Sequence, residues 1–494
     1  MRAIIIGGGV SGLTAGIYAR RSGFDTLILE KTVNMGGECT GWVRHGYHID
    51  NSIHWLTGTK KDTYLYKVWC QVGALSDQIR TIPVDPFFSF DTPSGKVFHI
   101  HHNLEELRRE MYEFGPEDKD VIDEFIKIIK GYQKMEFPAV APPELLSFPQ
   151  KMKKLWGMRG VIAPHVKYRK HTIEDYSKLY KSEDLRAVIN AYFPHGYYAE
   201  ALFDILSIIT SGNGNLPEGG SLAFTDRMTE LYKSLGGEMR TCAEVSSIEE
   251  SEGIAKAVIL KNGERLEADY IISTTPMNVL LHDMLGGRFE DDYFEQRFRL
   301  SPSFSNAIVY AGIKADSKDV HDNGILATGA FKVGRRTHRA MLFHHYDHEK
   351  GFAPEGSFVC QLMVNQYDAD FAFWKALWDR DHAEYRAEKQ RMAERMIARL
   401  EERFPAIAGK CEILEVLTPL SFYKRCGSHH GSYMCFIRTP YFGEKNHSGR
   451  IEGLDRLYAS GQWGQPGGMP AAVTSGRFAV QRMCHDAGVR FVED

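Results

Sequence analysis

The first thirty-one residues, MRAIIIGGGVSGLTAGIYARRSGFDTLILEK, restrict the fold more than any other stretch of the chain. Seventeen uncharged residues, Ala3 to Ala19, separate Arg2 from the Arg20-Arg21 pair. A basic start, an apolar stretch and small residues are the outline of a secretory signal. A membrane anchor has a similar outline, but a spanning helix needs about 20 mostly apolar residues, and this run is shorter and rich in glycine. Glycine placement decides between the readings. Ala3-Ile4-Ile5-Ile6 suits a buried strand, Gly7, Gly9 and Gly12 stand in G-x-G-x-x-G register, and Leu13 to Arg21 reads as a helix ended by Gly23. Thr26 to Leu29 is a second apolar strand, with Glu30 at its carboxyl end. This order predicts the strand–helix–strand unit of a dinucleotide-binding α/β sheet.

Each residue type has a physical task there. Gly7 permits the tight turn, Gly9 lets a pyrophosphate approach the backbone, and Gly12 lets helix and strand pack closely. The helix N-terminus, with Ser11, offers N–H groups and a positive dipole end to phosphate. Glu30, eighteen residues after Gly12, is placed to accept hydrogen bonds from ribose hydroxyls, and Lys31 follows it.

At 494 residues the chain exceeds one ordinary core, so two or three domains are expected. A formal net charge of −4 is too small to point to nucleic acid. Eight cysteines are scattered with no C-x-x-C pair, which suits reduced thiols and a cytoplasmic location. Nothing in the sequence sets an oligomeric state.

Beyond Glu30 comes KTVNMGGECTGWVRHGYHIDNSIHWLTG. A Gly-Gly pair followed by an aromatic-Asp element ending at Asp50 resembles the FAD-binding flavoproteins that include amine oxidases and phytoene desaturases. In that group Arg usually follows the Gly-Gly; here Glu38 follows Gly37. A carboxylate beside a pyrophosphate would repel it, so Glu38 is expected to turn away or to contact something else. Cys39 does not make the chain a disulfide reductase, because the partner position five residues on is Arg44. The only second glycine stretch, Gly212 to Pro217, breaks register at Pro217. Cys39 reads as a packing residue.

Two later segments carry the same resemblance. LPEGGSLAFTDRMTELYKSLGGEMRTCAEVSSIEE reads as a helix with an apolar stripe at Leu222, Met228, Leu231 and Leu235, then an alternating strand. The resemblance implies that Val245 gives backbone contacts to the adenine. An Asn262-Gly263 hairpin follows. LDRLYASGQWGQPGGMPAAVTSGRFAVQRM runs from a strand through a Gly-rich loop into a helix with Pro470 in its first turn. It is similar to the C-terminal flavin motif of phytoene desaturases, carotenoid isomerases and retinol saturases. That similarity assigns Gly461, Gln462, Gly468 and Met469 to the cofactor. Most relatives carry Asp where Gln462 stands, so a mutual exchange of charge with Glu38 is expected if the two lie together.

The resemblance implies FAD and an α/β fold: a Rossmann-type FAD-binding domain assembled from residues 1–85, 215–285 and 448–494. Residues 86–214 and 286–447 then form an α+β substrate domain. It also implies an enzyme, a desaturase, saturase or double-bond isomerase exchanging hydride at flavin N5. Its substrate would be a small lipophilic unsaturated molecule such as a carotenoid, retinoid or fatty acid. An amine oxidase is the alternative and would need two aromatic walls, for which Trp463 and Tyr433 are available. A flavin-free escort protein of the same superfold is disfavoured by the intact glycine motifs.

Residues 145–173 hold seven bases and no acid, interleaved with Phe148, Leu155, Trp156, Met158, Ile162 and Tyr168. This is either a solvated basic face or a peripheral membrane contact. His99, His101 and His102 show no second ligand cluster, so no metal is expected. His54 and His430 are the candidate proton relays, and no G-x-S-x-G elbow supports hydrolysis.

Overall fold

The structure is a computed structural model that describes residues 1–320, 323–441, 446–464 and 467–494. Three consecutive isoleucines make Arg2–Ile6 (β1) a strand that is apolar on both faces, as a covered parallel strand requires. It pairs in parallel with Asp25–Leu29 (β2), Ile4 opposite Leu27, and on its other side with Tyr270–Ser273, Ile4 opposite Ile271. Tyr270–Ser273 pairs in turn with Leu454–Ala459, Ile271 opposite Leu457. Segments hundreds of positions apart thus meet at the centre of one sheet. Among the described residues that sheet has nine strands, all falling within residues 2–29, 238–273 and 450–459. A second sheet of seven strands draws on residues 88–100 and 304–417. One strand, Phe304–Ile313, next to the edge strand Cys411–Leu417, is buried along its whole length between it and Phe358–Tyr367. Helices between residues 104 and 210 form a separate apolar cluster against it. The fold is α/β with an α+β second part, as the sequence predicts.

The helix after β1 is Val10–Arg21 (α1), which starts earlier than the sequence reading because Gly9 serves as its N-cap. Residues Val10 to Ala19 are all buried, since the C-terminal helix Met469–Ala487 covers the side away from the sheet. A Cβ on Gly476 would lie 2.4 Å from the Ser11 carbonyl oxygen, so the two helices touch backbone to backbone.

Helix Gly220–Ser234 departs from expectation. It buries Ser221, Phe224, Met228 and Tyr232, while Leu222, Leu231 and Leu235 are only half-buried. Polar contacts set its rotation. The buried carboxylate of Asp50 accepts from Ser221 N and Ser221 Oγ, both at 2.6 Å, and so caps the helix N-terminus. At the other end Tyr232 Oη bonds Thr26 Oγ1 at 2.8 Å. A Cβ on Gly220 would sit 2.2 Å from Asp50 Oδ2, which explains the glycine.

The C-terminal tail closes on a buried cation. The fully buried Arg477 guanidinium donates to Tyr64 Oη at 2.9 Å, to Val140 O at 3.2 Å, to Gln71 Oε1 at 3.4 Å and to the Glu493 carboxylate. All eight cysteines are free. Among the described residues no helix is long and apolar enough to cross a membrane.

Candidate active site

The two glycine-rich helix starts open onto one cavity of about 550 Å³, within the range of roughly 300–1,000 Å³ usual for ligand sites. Gly9 caps α1 and Gly468 caps Met469–Ala487, both without a side-chain cap, so the first N–H groups of each helix are left to whatever enters.

Of the three fingerprint glycines, two answer to the protein itself. A Cβ on Gly12 would stand 1.9 Å from Gly7 O, and one on Gly7, where φ is +101°, would meet Thr274 Oγ1 at 2.6 Å. Gly9 is different. Its φ of −72° suits any residue, and its Cβ would meet no protein atom closer than 3.8 Å. The space a side chain there would take belongs to the cavity, which is how a residue approached by a pyrophosphate should look. The residues present therefore fit a dinucleotide.

Glu30 lies at the end of β2 and is 6% exposed. Its Oε2 accepts from Gly8 N at 2.7 Å, and its Oε1 accepts from Thr32 N at 2.8 Å and Thr32 Oγ1 at 2.9 Å. These bonds fix the acid on the cavity rim, where Lys31 and Gly37 join it. Val245 lines the same wall. Ser11 Oγ bonds Ser460 Oγ at 3.0 Å, and Gly461 N donates to Ser475 Oγ at 2.8 Å, tying the N-terminal motif to the C-terminal one. Gln462 Oε1 accepts from Gly468 N at 3.1 Å, so its amide holds the Gly-rich loop closed on itself. Gly461, Gly468 and Met469 line the cavity with it, while Gln465 and Pro466 of that loop lie outside the described residues.

Glu38 lines the cavity but does not pair with Gln462, and the expected exchange is replaced by a different arrangement. Both Glu38 carboxylate oxygens are buried without a hydrogen bond of ordinary geometry, beside Cys426, Arg425 and Lys31. Burial raises its carboxyl above the usual range, opposed by those three neighbours. A protonated Glu38 does not repel a phosphate. The positive charge missing at this position comes instead from Arg425, whose Nε donates to Gly37 O at 3.1 Å from 388 residues away. Sequence reading had no signal for Arg425, because only the tertiary fold brings Pro419–Cys426 to the Gly-Gly turn.

The two histidines part company. His54 lines the cavity, with its Nε2 2.6 Å from Gln361 Oε1 and its ring 5.0 Å from that of His344. Burial lowers its pKa, and Gln361 and Asp50 only partly oppose this. His430 does not line the cavity. Its Nδ1 lies 3.0 Å from Asp368 Oδ1 and its ring stacks on Phe371, while Ser428, Ser432 and Tyr433 beside it in the chain line the cavity. His99 Nδ1 and His101 Nε2 reach one carboxylate, Glu110, at 2.8 and 2.5 Å. Helix Leu104–Phe114 thus supplies the third ligand-type group that strand spacing did not reveal.

The cavity is also lined by aromatic and aliphatic side chains, Trp55, Phe137, Phe193, Tyr197, Ile205 and Ile208. Trp463 and Tyr433 also line it. Trp463 packs edge-on to Phe436 and Tyr433 Oη donates to Asn51 O at 3.2 Å, so each is held by its own neighbours.

Comparison with known proteins agrees with this geometry. The sequence pattern of the family described as flavin containing amine oxidoreductase matches residues 10–330. A lycopene-forming phytoene desaturase of Paracoccus sp. (strain N81106 / MBIC 01143) is 24% identical over 516 residues, covering 98% of this chain and 97% of that protein. The chloroplastic prolycopene isomerase of Daucus carota is 24% identical over 510 residues, covering 99% and 80%. Among solved structures, putrescine oxidase bound to putrescine aligns over 98% of this chain and 99% of its own at a TM-score of 0.61, with 14% identity. An oxidoreductase from Methanosarcina mazei aligns over 97% and 100% at 0.58, with 16% identity. These two likenesses concern the fold. With the motifs, the cavity and the relatives in agreement, the chain belongs to the flavin containing amine oxidoreductase family and is an FAD-dependent oxidoreductase or isomerase.

Proposed function

We propose that this enzyme removes, adds or rearranges double bonds in an unsaturated lipophilic substrate such as a carotenoid, retinoid or fatty acid. The observation that carries the reading is the continuity of one cavity from two glycine-capped helix ends to an aromatic and aliphatic wall. Relatives named as a phytoene desaturase and a prolycopene isomerase, matched over nearly the whole chain, support it. Bound FAD would supply hydride acceptance and return at N5.

The chain's own part is to bind, orient and exclude water. Gly9 and the helix start at Ser11 take the pyrophosphate, Gly7 and Gly12 shape the turn that presents them, and Lys31 and Arg425 are cations beside Gly37. Glu30 takes the ribose, Val245 the adenine side, and Gly461, Gln462, Gly468 and Met469 the flavin. Burial favours the neutral form of Glu38 among them, against the pull of Cys426, Arg425 and Lys31. His54, kept neutral by burial, receives or returns a proton at its ring nitrogen next to the apolar wall. In the same reading, residues 1–85, 215–285 and 448–494 form the FAD domain, and 86–214 and 286–447 the substrate domain.

A membrane surface is the proposed source of substrate. Helix Phe148–Met158 has no buried residue, and Phe148, Trp156 and Val166 are 77%, 68% and 65% exposed. Exposed apolar side chains among seven bases suit the interface of an anionic bilayer. The purified protein should show flavin absorbance that bleaches anaerobically with a polyene, or yield a product changed only in double-bond geometry. It should also cosediment with anionic vesicles and not with neutral ones. Bleaching by an amine alone would replace this reading with an amine oxidase.

A further inference from the structure

The cavity wall carries a cation that makes no direct ion pair among the described residues. Arg438 lines the wall and is only partly exposed. Among the described residues its guanidinium makes no ion pair, and its one hydrogen bond runs from Nη1 to Tyr198 Oη at 3.3 Å. The backbone reinforces this meeting, since Tyr198 N donates to Arg438 O at 2.9 Å. Asp204 lines the same cavity and favours the Arg438 charge across space, without a direct ion pair to it.

A guanidinium drawn out of water costs free energy unless an anion or several acceptors compensate. A pure hydrocarbon gives it nothing. Arg438 has five N–H donors in a rigid fork, of which one is used, and that fork matches a carboxylate or phosphate in bidentate fashion. Tyr198 completes the receptor. Burial raises its pKa, so the phenol keeps its proton; because Oη already accepts from Arg438, its O–H is left to donate onward. Phe193, Tyr197, Ile205 and Ile208 continue the wall with apolar surface for the chain behind such a head group.

We propose that Arg438 and Tyr198 form a head-group site for an oxyanion, a carboxylate or a phosphate, at the end of the apolar substrate. The inference rests on the functional reading above and narrows it: the substrate is an unsaturated chain ending in an anion, not an unfunctionalised polyene.

The test is equilibrium binding to the flavin-loaded full chain, followed by quenching of tryptophan and flavin fluorescence. Two series serve as probes: retinoic acid with its methyl ester, its hydrocarbon and retinyl phosphate; and linoleic acid with its methyl ester. An acid should bind about 10- to 100-fold more tightly than its ester, the range set by charge-assisted hydrogen bonds. Retinyl phosphate, compared with retinoic acid, identifies which oxyanion is preferred. R438Q should bring acid and ester to within about two-fold of each other. R438K, which keeps the charge and loses the fork, should retain part of the difference. Flavin content, read by absorbance, should be unchanged in both variants.

No preference for acid or phosphate over ester in either series would overturn the proposal. So would an R438Q that loses flavin while keeping the preference, since Arg438 would then be a cofactor ligand. The two readings fail separately. If hydrocarbon polyenes bleach the flavin and no acid preference exists, the functional reading stands without the head-group site. If no polyene reacts but the acid preference depends on Arg438, the site stands and the reaction class falls.

Discussion

Arg477 and Arg438 are both guanidiniums withdrawn from bulk water, and the fold treats them in opposite ways. Arg477 lies at the seam between the C-terminal helix, the tail and helix Tyr64–Gln71, and Tyr64, Gln71, Val140 and Glu493 all accept from it. Arg438 lies on the cavity wall and donates only to Tyr198 among the described residues. The same contrast separates Gly12, pressed against Gly7 O, from Gly9, which faces open space. A group whose needs are met inside the protein holds the fold together. A group whose needs are left open toward a cavity is waiting for a ligand.

The glycine pair gives the sharpest way to break this comparison. A methyl at position 12 falls 1.9 Å from a backbone oxygen that cannot give way without moving β1 or α1. G12A should therefore cost more than about 4 kcal/mol and appear as aggregated or unfolded protein in thermal denaturation. G9A should leave the stability of the flavin-free protein within about 0.5 kcal/mol and yet reduce bound flavin per chain. If both variants lose stability alike, Gly9 is structural and the contrast fails.

Removing Arg477 comes next in size. R477M takes the buried donor away from Tyr64, Gln71 and Val140. Glu493 is partly exposed and keeps Lys67, Tyr64 and Gln71, so the loss should lie between about 1 kcal/mol and the ~3–5 kcal/mol of a one-sided break in a fully buried pair. Chemical denaturation with circular dichroism would read the change, and a loss below about 1 kcal/mol would show that the clasp matters little.

The smallest effect depends on pH. Burial acts to raise the Glu493 carboxyl, but Lys67, Tyr64 and Arg477 outweigh it and hold its pKa down at about 2, against an ordinary 4.5. A group depressed on folding contributes stability that is fully present above its ordinary pKa and is lost as pH falls through its folded value. The Tm difference between wild type and E493Q should thus be constant from neutral pH to about 5 and shrink toward pH 2. A difference unchanged across that window would mean that Glu493 contributes through shape alone.

Much of the cofactor end was legible in the sequence, because its demands are local. Gly7, Gly9, Gly12 and Glu30 act through one strand, one turn and one helix, and Pro470 marks the second helix start. What escaped notice depends on distant meetings. Arg425 reaches Gly37, Tyr198 meets Arg438 across 240 residues, and Glu110 joins His99 and His101 from a neighbouring helix. On helix Gly220–Ser234 Met228 is buried as expected, while Leu222, Leu231 and Leu235 are only half-buried, because Asp50, far upstream, fixes where that helix starts. His430 was a candidate relay by resemblance, and its contacts with Asp368 and Phe371 again come from distant parts of the chain.

The placing of Leu454–Ala459 between Tyr270–Ser273 and Ile254–Leu260 has a consequence for how the molecule is made. Synthesis runs from the N-terminus, so Tyr270–Ser273 emerges from the ribosome with one edge unpaired. That edge stays open while five strands of the seven-stranded sheet, within residues 304–417, are translated. An open parallel edge recruits other strands. The chain is therefore exposed to mispairing until Leu454–Ala459 is made, and the helix that follows this strand, Met469–Ala487, delivers a further wall of the cavity.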